Sequence, residues 1–412
     1  MRATILFNAT ILNGTGSEPR PDGWVVVEDE RIKEVGYACL GMRPMSANMI
    51  DCRGLTLLPG LIDGHVHIGA VEADLAEQQR RLPTSTLVIR TLKVLKETLD
   101  QGFTTVRDCG GADAGFRHAV ADGLVEGSRM FICGEVLSQT GGHGDWRLPA
   151  ETGPAARHAA GVRSCVCDGV TAVRQAAREQ IRQGADFIKV MASGGAASPC
   201  DELDTSQYSL EELEAAVFEA ESAGKYVAAH CYSDRGIKLC CQAGVRTIEH
   251  GNLMTDESAR TMRDSGVFLV PTLAVYHLVA RMGKDLGLPD GFIRKARQAL
   301  DRAESSLATA LAHGVRIGSG SDLLGPMQIQ KGLELELQGR IMGAMGAMVA
   351  ATRTNAEILG QSDCLGTVEP GKLADLLLVR GDPLKDLRLF RNFQENLVLI
   401  IQGGRIHKNL LG

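Results

Sequence analysis

Eight short apolar runs, at 61–67, 104–108, 129–135, 187–192, 226–230, 247–250, 267–271 and 316–319, alternate with stretches of helical patterning at 87–100, 170–182, 209–223, 234–243, 256–264 and 292–312. This alternation restricts the middle of the chain to a parallel α/β architecture, because parallel strands need a long crossover and a helix usually supplies it. Eight such runs point to a (β/α)8 barrel. An open, doubly wound sheet is the alternative. It is expected to carry a glycine-rich phosphate turn after its first strand, and that place holds His65-Val66-His67. Ser209 precedes Glu211, Glu212 and an apolar face of Leu213, Ala216 and Val217, which marks a helix start. The Gly/Met/Ala-biased stretch 341–350 reads as a loop leading into a last helix over 348–359.

Both ends of the chain read differently. Short strand-like runs at 3–7, 24–28, 32–35 and 56–58 are broken by the turn dipeptides Asn13-Gly14 and Asp22-Gly23. The last fifty or so residues repeat the style, with strands expected at 375–379 and 397–402 and a Gly403-Gly404 turn into 405–407. Neither end alone suffices to bury a core. One small sheet domain made from both termini, with the middle inserted between them, is the economical arrangement.

The bulk properties exclude several classes of function. The chain has 412 residues, a 44% hydrophobic content ordinary for globular proteins and a net charge of −6. No basic cluster appears, which argues against nucleic acid as a partner. No apolar run approaches the roughly 18–20 residues that span a bilayer. The apolar start is interrupted by polar residues and reads as a strand, not a signal peptide. Eleven cysteines lack zinc-finger or disulfide spacing, since Cys165 and Cys167 are one residue apart and Cys240 and Cys241 are adjacent. Free thiols in a reducing cytoplasm are the expectation.

Six residues at or near the ends of the apolar runs carry the chemistry: His65, His67, Lys189, His230, His250 and Asp322. On a strand, positions i and i+2 face the same side, so His65 and His67 can share one metal ion. Taken alone, such a pair also fits a solvated face. Lys189 lies in the apolar run Asp186-Phe187-Ile188-Lys189-Val190, where an unpaired ammonium costs several kcal/mol. It either snorkels to the surface or loses its positive charge by adding carbon dioxide, as a carbamate whose two oxygens can bridge two cations. His230 and His250 each finish a run, and Asp322 ends the last one in a Gly/Ser-rich turn. Each alone fits a satisfied core histidine or a helix cap. Together they are hard to assemble by chance.

The Pro59-Gly60-Leu61-Ile62-Asp63-Gly64-His65-Val66-His67 entry, the later ligands in this order and the stretch Gly366-Thr367-Val368-Glu369-Pro370-Gly371-Lys372-Leu373-Ala374-Asp375-Leu376 resemble the amidohydrolase superfamily, in the binuclear subtype with a carboxylated lysine. The resemblance covers essentially the whole chain. It implies a distorted (β/α)8 TIM barrel over 59–360 and a small β-sandwich domain from 1–58 and 361–412. It implies two divalent metal ions, zinc first, although such ligands also accept manganese, cobalt or iron. His65, His67 and Asp322 would hold the more buried metal, and His230 and His250 the more exposed one. Lys189, as N6-carboxylysine, would bridge them. A narrower likeness, in Ser138-Gln139-Thr140-Gly141-Gly142-His143-Gly144-Asp145, in Met191-Ala192-Ser193-Gly194-Gly195 with Ser198-Pro199, and in Ala229-His230-Cys231-Tyr232, is to the branch of prolidase-like dipeptidases, Xaa-Arg/Lys carboxypeptidase-type enzymes and ochratoxin amidases.

That branch cuts an amide next to a free carboxylate, which implies a dipeptide or N-acyl amino acid as substrate. His143 and Tyr232 would contact its carbonyl or carboxylate. Two nearby cations lower the pKa of a bridging water, Asp322 would take and return the proton, and His143 would help polarise the carbonyl. Arg147, Arg157 and Arg163, in or near the long connections 137–168 and 193–208, are candidates for holding the carboxylate. A lactone, cyclic amide, carbamate or organophosphate is the alternative substrate, since one metal pair serves all of these. A mononuclear, deaminase-like relative is disfavoured by Lys189, and a non-catalytic scaffold by the complete ligand set. A cytoplasmic homo-oligomer is expected.

Overall fold

The computed structural model describes residues 3–38, 47–153 and 160–411. Strands β1 (Thr4–Ile11), β2 (Arg20–Glu28), β3 (Arg31–Tyr37), β4 (Asn48–Asp51) and β5 (Leu55–Pro59) come first. Then follow β6 (Leu61–Val66), β7 (Phe103–Asp108), β8 (Arg129–Ile132), β9 (Val136–Ser138), β10 (Ser164–Val166), β11 (Ile188–Met191), β12 (Val227–Ser233), β13 (Thr247–Leu253), β14 (Phe268–Val270) and β15 (Arg316–Ile317). Strands β16 (Leu376–Arg380), β17 (Leu397–Gln402) and β18 (Arg405–Asn409) close the chain.

The chain divides into two compact units. The first gathers Met1–Asp63, Lys96–Thr105 and Gln330–Gly412. Its sheet runs β18-β17-β16-β5-β1-β2-β3, with β4 beside β1. The N- and C-terminal segments meet where β16 pairs antiparallel with β5, Leu377 opposite Leu58. Leu376 and Leu378 enter one apolar cluster, and Leu377 and Val379 another. A strand buried on both faces needs a continuous apolar run, and Leu376-Leu377-Leu378-Val379 is one.

The second unit gathers Gly64–Leu95 and Val106–Ile329. A parallel sheet runs β10-β9-β11-β12-β13-β14-β15, and β6-β7-β8 form a separate three-stranded sheet. The intervening helices cover most of the expected stretches, including Gly169–Arg182, Leu210–Ser222, Asp234–Ala243, Asp256–Asp264 and Asp290–Ala312. Ser209 caps Leu210–Ser222 through a reciprocal box with Glu212, as its sequence position predicts. Gly244, at φ 89°, ends Asp234–Ala243 in the left-handed conformation that a side chain disfavours.

Three features differ from expectation. The connection expected after the third run contains the short strands β9 and β10, whose few residues give little periodicity to read. An additional helix, Leu273–Met282, follows β14. The stretch 341–350 is not a loop: helix Gly332–Val349 covers nearly all of it, interrupted at Gly343 (φ 75°, ψ 157°), where glycine admits a kink that leaves the flanking turns helical. Among the described residues every cysteine is a free thiol, and no helix is long and apolar enough to cross a membrane.

Candidate metal centre and active site

His65 lies in β6 and His67 follows it directly. Both rings are buried, and each is turned by a bond at Nδ1. His65 Nδ1 lies 2.7 Å from Glu249 Oε2, and His67 Nδ1 lies 2.7 Å from the Gly110 carbonyl. Carboxylates and carbonyls only accept, so both Nδ1 atoms carry hydrogen and Nε2 is the nitrogen by which each ring could bind a cation. Those Nε2 atoms converge on one oxygen, Asp322 Oδ1, at 3.5 Å from His65 and 3.2 Å from His67. The loop after β15 places Asp322 there, with its amide donating to the His65 carbonyl at 2.8 Å. Its φ of 53° is left-handed, a conformation that costs energy in a residue with a side chain.

Glu249, in β13, is itself held by a buried guanidinium. Arg107 in β7 donates to both its oxygens, at 2.7 and 2.8 Å, and neither side chain is exposed. Arg107 also donates to the Gly64 carbonyl and to Thr247 Oγ1, so most of its donors are satisfied.

The other two histidines come from adjacent strands. The parallel register puts His230 beside Glu249 and Cys231 beside His250. His230 Nε2 faces the Gly194 carbonyl at 3.1 Å, which leaves Nδ1 for a ligand. His250, also left-handed at φ 78°, has Nδ1 within 2.7 Å of Thr272 Oγ1 and 2.9 Å of Tyr276 Oη. The His143 ring stacks on His230 with centroids 4.1 Å apart, and Tyr232 stacks on His250 at 5.0 Å. Tyr232 and Tyr276 share a 2.6 Å hydroxyl contact.

Lys189 in β11 is 1% exposed, and its Nζ has no hydrogen-bond partner among the described residues. An orphan ammonium at this depth is unstable unless its charge is altered or compensated. The surrounding electrostatics point the same way. Burial, reinforced by Lys189, holds His65 well below the ordinary imidazole range, and burial with His143 does so for His230. Burial likewise takes His250 to about 3 and His143 to about 4. Burial acts against His67 too, but the Asp322 contact prevails and raises it. Burial opposes ionisation of Asp322, yet the imidazoles packed against it, His65 and then the hydrogen-bonded His67, keep its carboxyl below the usual range. Imidazoles around a carboxylate are the donor set a divalent cation takes, and His65, His250 and Asp322 offer ligand atoms within 4.8 Å of one another.

All six expected ligands, with His143 and Tyr232, line one cavity of about 60 Å³. A second cavity of about 500 Å³ shares Ala197 and Phe292 with it and is also lined by Trp146, Leu148, Arg294 and Lys295. The arginines expected to hold a carboxylate are elsewhere. Arg147 pairs with Asp145 at 2.6 Å, and Arg163 lies 3.5 Å from Glu135. Neither lines either cavity, and Arg157 lies outside the described residues.

The family model for the amidohydrolase family matches residues 56–407. The chain belongs to the amidohydrolase family. This amidohydrolase is 30% identical to ochratoxinase from Aspergillus niger, over 99% of this chain and 87% of that one. Among solved structures it resembles a prolidase complexed with N-methylphosphonate-L-proline (39% identity, TM-score 0.95, 99% and 100% of the two chains). It also resembles a Xaa-Pro dipeptidase with bound methionine (28% identity, TM-score 0.89, 99% and 100%). These relatives match the prolidase-like and ochratoxinase branch, and they make the amidohydrolase a hydrolytic enzyme.

Several residues that shape the amidohydrolase site went unread in its sequence. Glu249 precedes His250, and its partner Arg107 is the lone basic residue in the run 104–108. A charge in a strand buried along its length was the available signal. Thr272 and Tyr276 offered none, because their role depends on helix Leu273–Met282 folding back over His250.

Proposed function

We propose that this amidohydrolase cleaves the amide bond of dipeptides or N-acyl amino acids at a binuclear metal centre. The observation that carries the reading is the convergence of two histidine Nε2 atoms on Asp322 Oδ1 in the cavity that also holds His230, His250 and the partnerless Lys189 amine. His65, His67 and Asp322 would hold one divalent ion and His230 and His250 the other. Lys189, carboxylated at Nζ, would bridge them and so resolve its own unpaired burial. When bound, the metal pair supplies an activated water and Lewis acidity toward the scissile carbonyl.

The chain's own residues do the rest. Asp322 accepts the proton of the attacking water and returns it to the departing amine, a poor leaving group unless protonated. His143 and Tyr232 orient the substrate carbonyl or carboxylate from above the cluster. The cavity lined by the cluster, about 60 Å³, takes the reacting end of the substrate. The larger cavity beyond Phe292 takes the bulkier substrate group. The prolidase, Xaa-Pro dipeptidase and ochratoxinase relatives support a small amide as substrate.

The same reading includes closure of β6–β15 into a distorted (β/α)8 barrel and a β-sandwich built from the terminal segments. Main-chain bonds from Gly64 to the Ser319 carbonyl (2.8 Å) and from Asp186 to the Ile132 carbonyl (2.7 Å) support closure, since they link β6 to the residues just after β15 and β8 to those just before β11. Zinc as the metal and a cytoplasmic homo-oligomer complete the proposal.

Metal analysis of protein purified without added metal, paired with a dipeptide and N-acyl amino acid panel, tests it. Two equivalents of zinc and release of a C-terminal amino acid are expected. Two equivalents without amide cleavage would move the reaction to lactones, carbamates or phosphoesters. One equivalent or none would remove the bridging role of Lys189.

A further inference from the structure

Three segments of the second unit meet behind His143. The loop after β9 carries His143, the loop after β11 carries Ser198, Asp201 and Gln207, and helix Asp290–Ala312 carries Lys295. Lys295 is an ammonium with its side chain 4% exposed, as is that of Asp201. Its three hydrogens have three acceptors: the Ser198 carbonyl at 2.7 Å, the Asp201 carbonyl at 2.9 Å and Asp201 Oδ1 at 3.4 Å. The Asp201 carboxylate also takes hydrogen bonds from the Ser198 hydroxyl and, at 2.8 Å, from Gln207 Nε2. Both of those residues reach His143. Ser198 Oγ lies 2.8 Å from its Nδ1, and Gln207 Oε1 accepts from its main-chain amide at 2.9 Å.

We propose that Lys295, Asp201, Ser198 and Gln207 form a buried clamp that positions His143 over the ligand cluster, a role that rests on the proposed function of that histidine. The direction of the hydrogen bonds follows from simple inventory. Ser198 has one hydroxyl hydrogen, and the carboxylate beside it can only accept. The Ser198 oxygen therefore accepts from His143, so Nδ1 carries hydrogen and Nε2 is the nitrogen left for the cavity. His230 stacks on the ring, and Gly195 fits against it so closely that a Cβ there would lie 2.2 Å from ring atoms. The ring is thus held by its faces and by its far edge.

Stability alone is a poor reason to keep such a cluster. Desolvating an ion pair costs about as much as the pairing returns, and apolar side chains of similar volume often serve equally well. What the pair does supply is direction. It ties the 193–208 connection to a long helix and sets one serine oxygen opposite one histidine nitrogen. Ser198, Asp201 and Lys295 also line the larger cavity, so the clamp separates the bulky substrate group from the imidazole.

Ser198→Ala severs the tether with the least disturbance, whereas Lys295→Met leaves a buried carboxylate unpaired and risks misfolding. A misplaced positioning contact costs up to about 10²-fold in rate. Ser198→Ala is therefore expected to lower kcat by up to that factor, with KM, metal content and Tm nearly unchanged. Ser198→Thr, which keeps the hydroxyl, should restore most of the loss. In a His143→Ala background, Ser198→Ala should cost nothing more. An equal loss in both backgrounds, or no loss in either, would overturn the proposal.

A second readout needs no turnover. In metal-free protein the downfield Nδ1–H resonance of His143, assigned by its disappearance in His143→Gln, should be present in the wild type and be lost or shifted in Ser198→Ala. A resonance indifferent to Ser198 would refute the clamp even if the substrate class proposed above were wrong. Its loss would support the clamp under the same circumstance.

Discussion

Glu249 Oε2 lies 2.7 Å from His65 Nδ1, and the same carboxylate is gripped by Arg107 from the other side. The orientation of a proposed metal ligand is therefore set by an ion pair that touches no solvent. Glu249→Gln is expected to weaken metal binding by about 10–100-fold, the usual effect of losing such a supporting contact. It should also destabilise the fold by about 3–5 kcal/mol, because Arg107 is left buried without its counter-charge. Chelator competition and urea unfolding measure the two effects. Unaltered metal affinity would mean that β6 packing alone orients His65.

Asp322 is both a ligand and the proposed proton carrier, and the two roles separate in one variant. Asp322→Asn keeps an oxygen where Oδ1 converges with His65 and His67, but it cannot carry the proton. We expect kcat to fall by about 10²–10⁴-fold with much of the metal retained. Substantial turnover at normal metal content would remove Asp322 from the proton path.

Gly320 packs where no side chain fits. A Cβ there would lie 2.6 Å from His65 Cβ and Val270 Cγ1 and 2.8 Å from the His65 amide. Gly320→Ala should cost about 1–3 kcal/mol through overpacking. It should also lower metal occupancy, since the strand that moves is the one carrying His65. Full occupancy by elemental analysis, in a variant whose stability has dropped, would show that His65 is not the part that gives way.

Away from the site, Glu219 on helix Leu210–Ser222 receives two 2.8 Å hydrogen bonds from Arg178 on helix Gly169–Arg182. That bond, foremost, holds the Glu219 carboxyl below its ordinary 4.5. A depressed folded-state pKa contributes stability that is complete above the unfolded value and lost as pH falls through the folded one. Glu219→Gln should thus have a lower Tm than wild type at pH 7, and the gap should close as the pH drops below 4.5. A gap independent of pH would assign the effect to packing.

Much of this site was legible before any fold was known. His65-x-His67, Lys189, His230, His250 and Asp322 announce themselves because ligand-type side chains at the ends of apolar runs are anomalous one by one and coherent together. The capping signal at Ser209 was legible too, since a cap is made by residues three apart. The short strands β9 and β10 were not, and the break at Gly343 hid a helix behind a biased composition. Arg147 and Arg163 were candidates for holding a substrate carboxylate; the structure sets them beside Asp145 and Glu135 instead.

The division has a physical basis. Period, turn chemistry and side-chain type are local properties, so the amino-acid sequence alone determined the alternating architecture and marked the six candidate ligands. The tautomers of His65, His67, His143, His230 and His250 depend on partners 22 to 184 residues away, and those distances close only when the chain folds. Only the tertiary structure decided which nitrogen of each ring faces the cavity, because a hydrogen bond is directional and its second atom comes from another part of the chain.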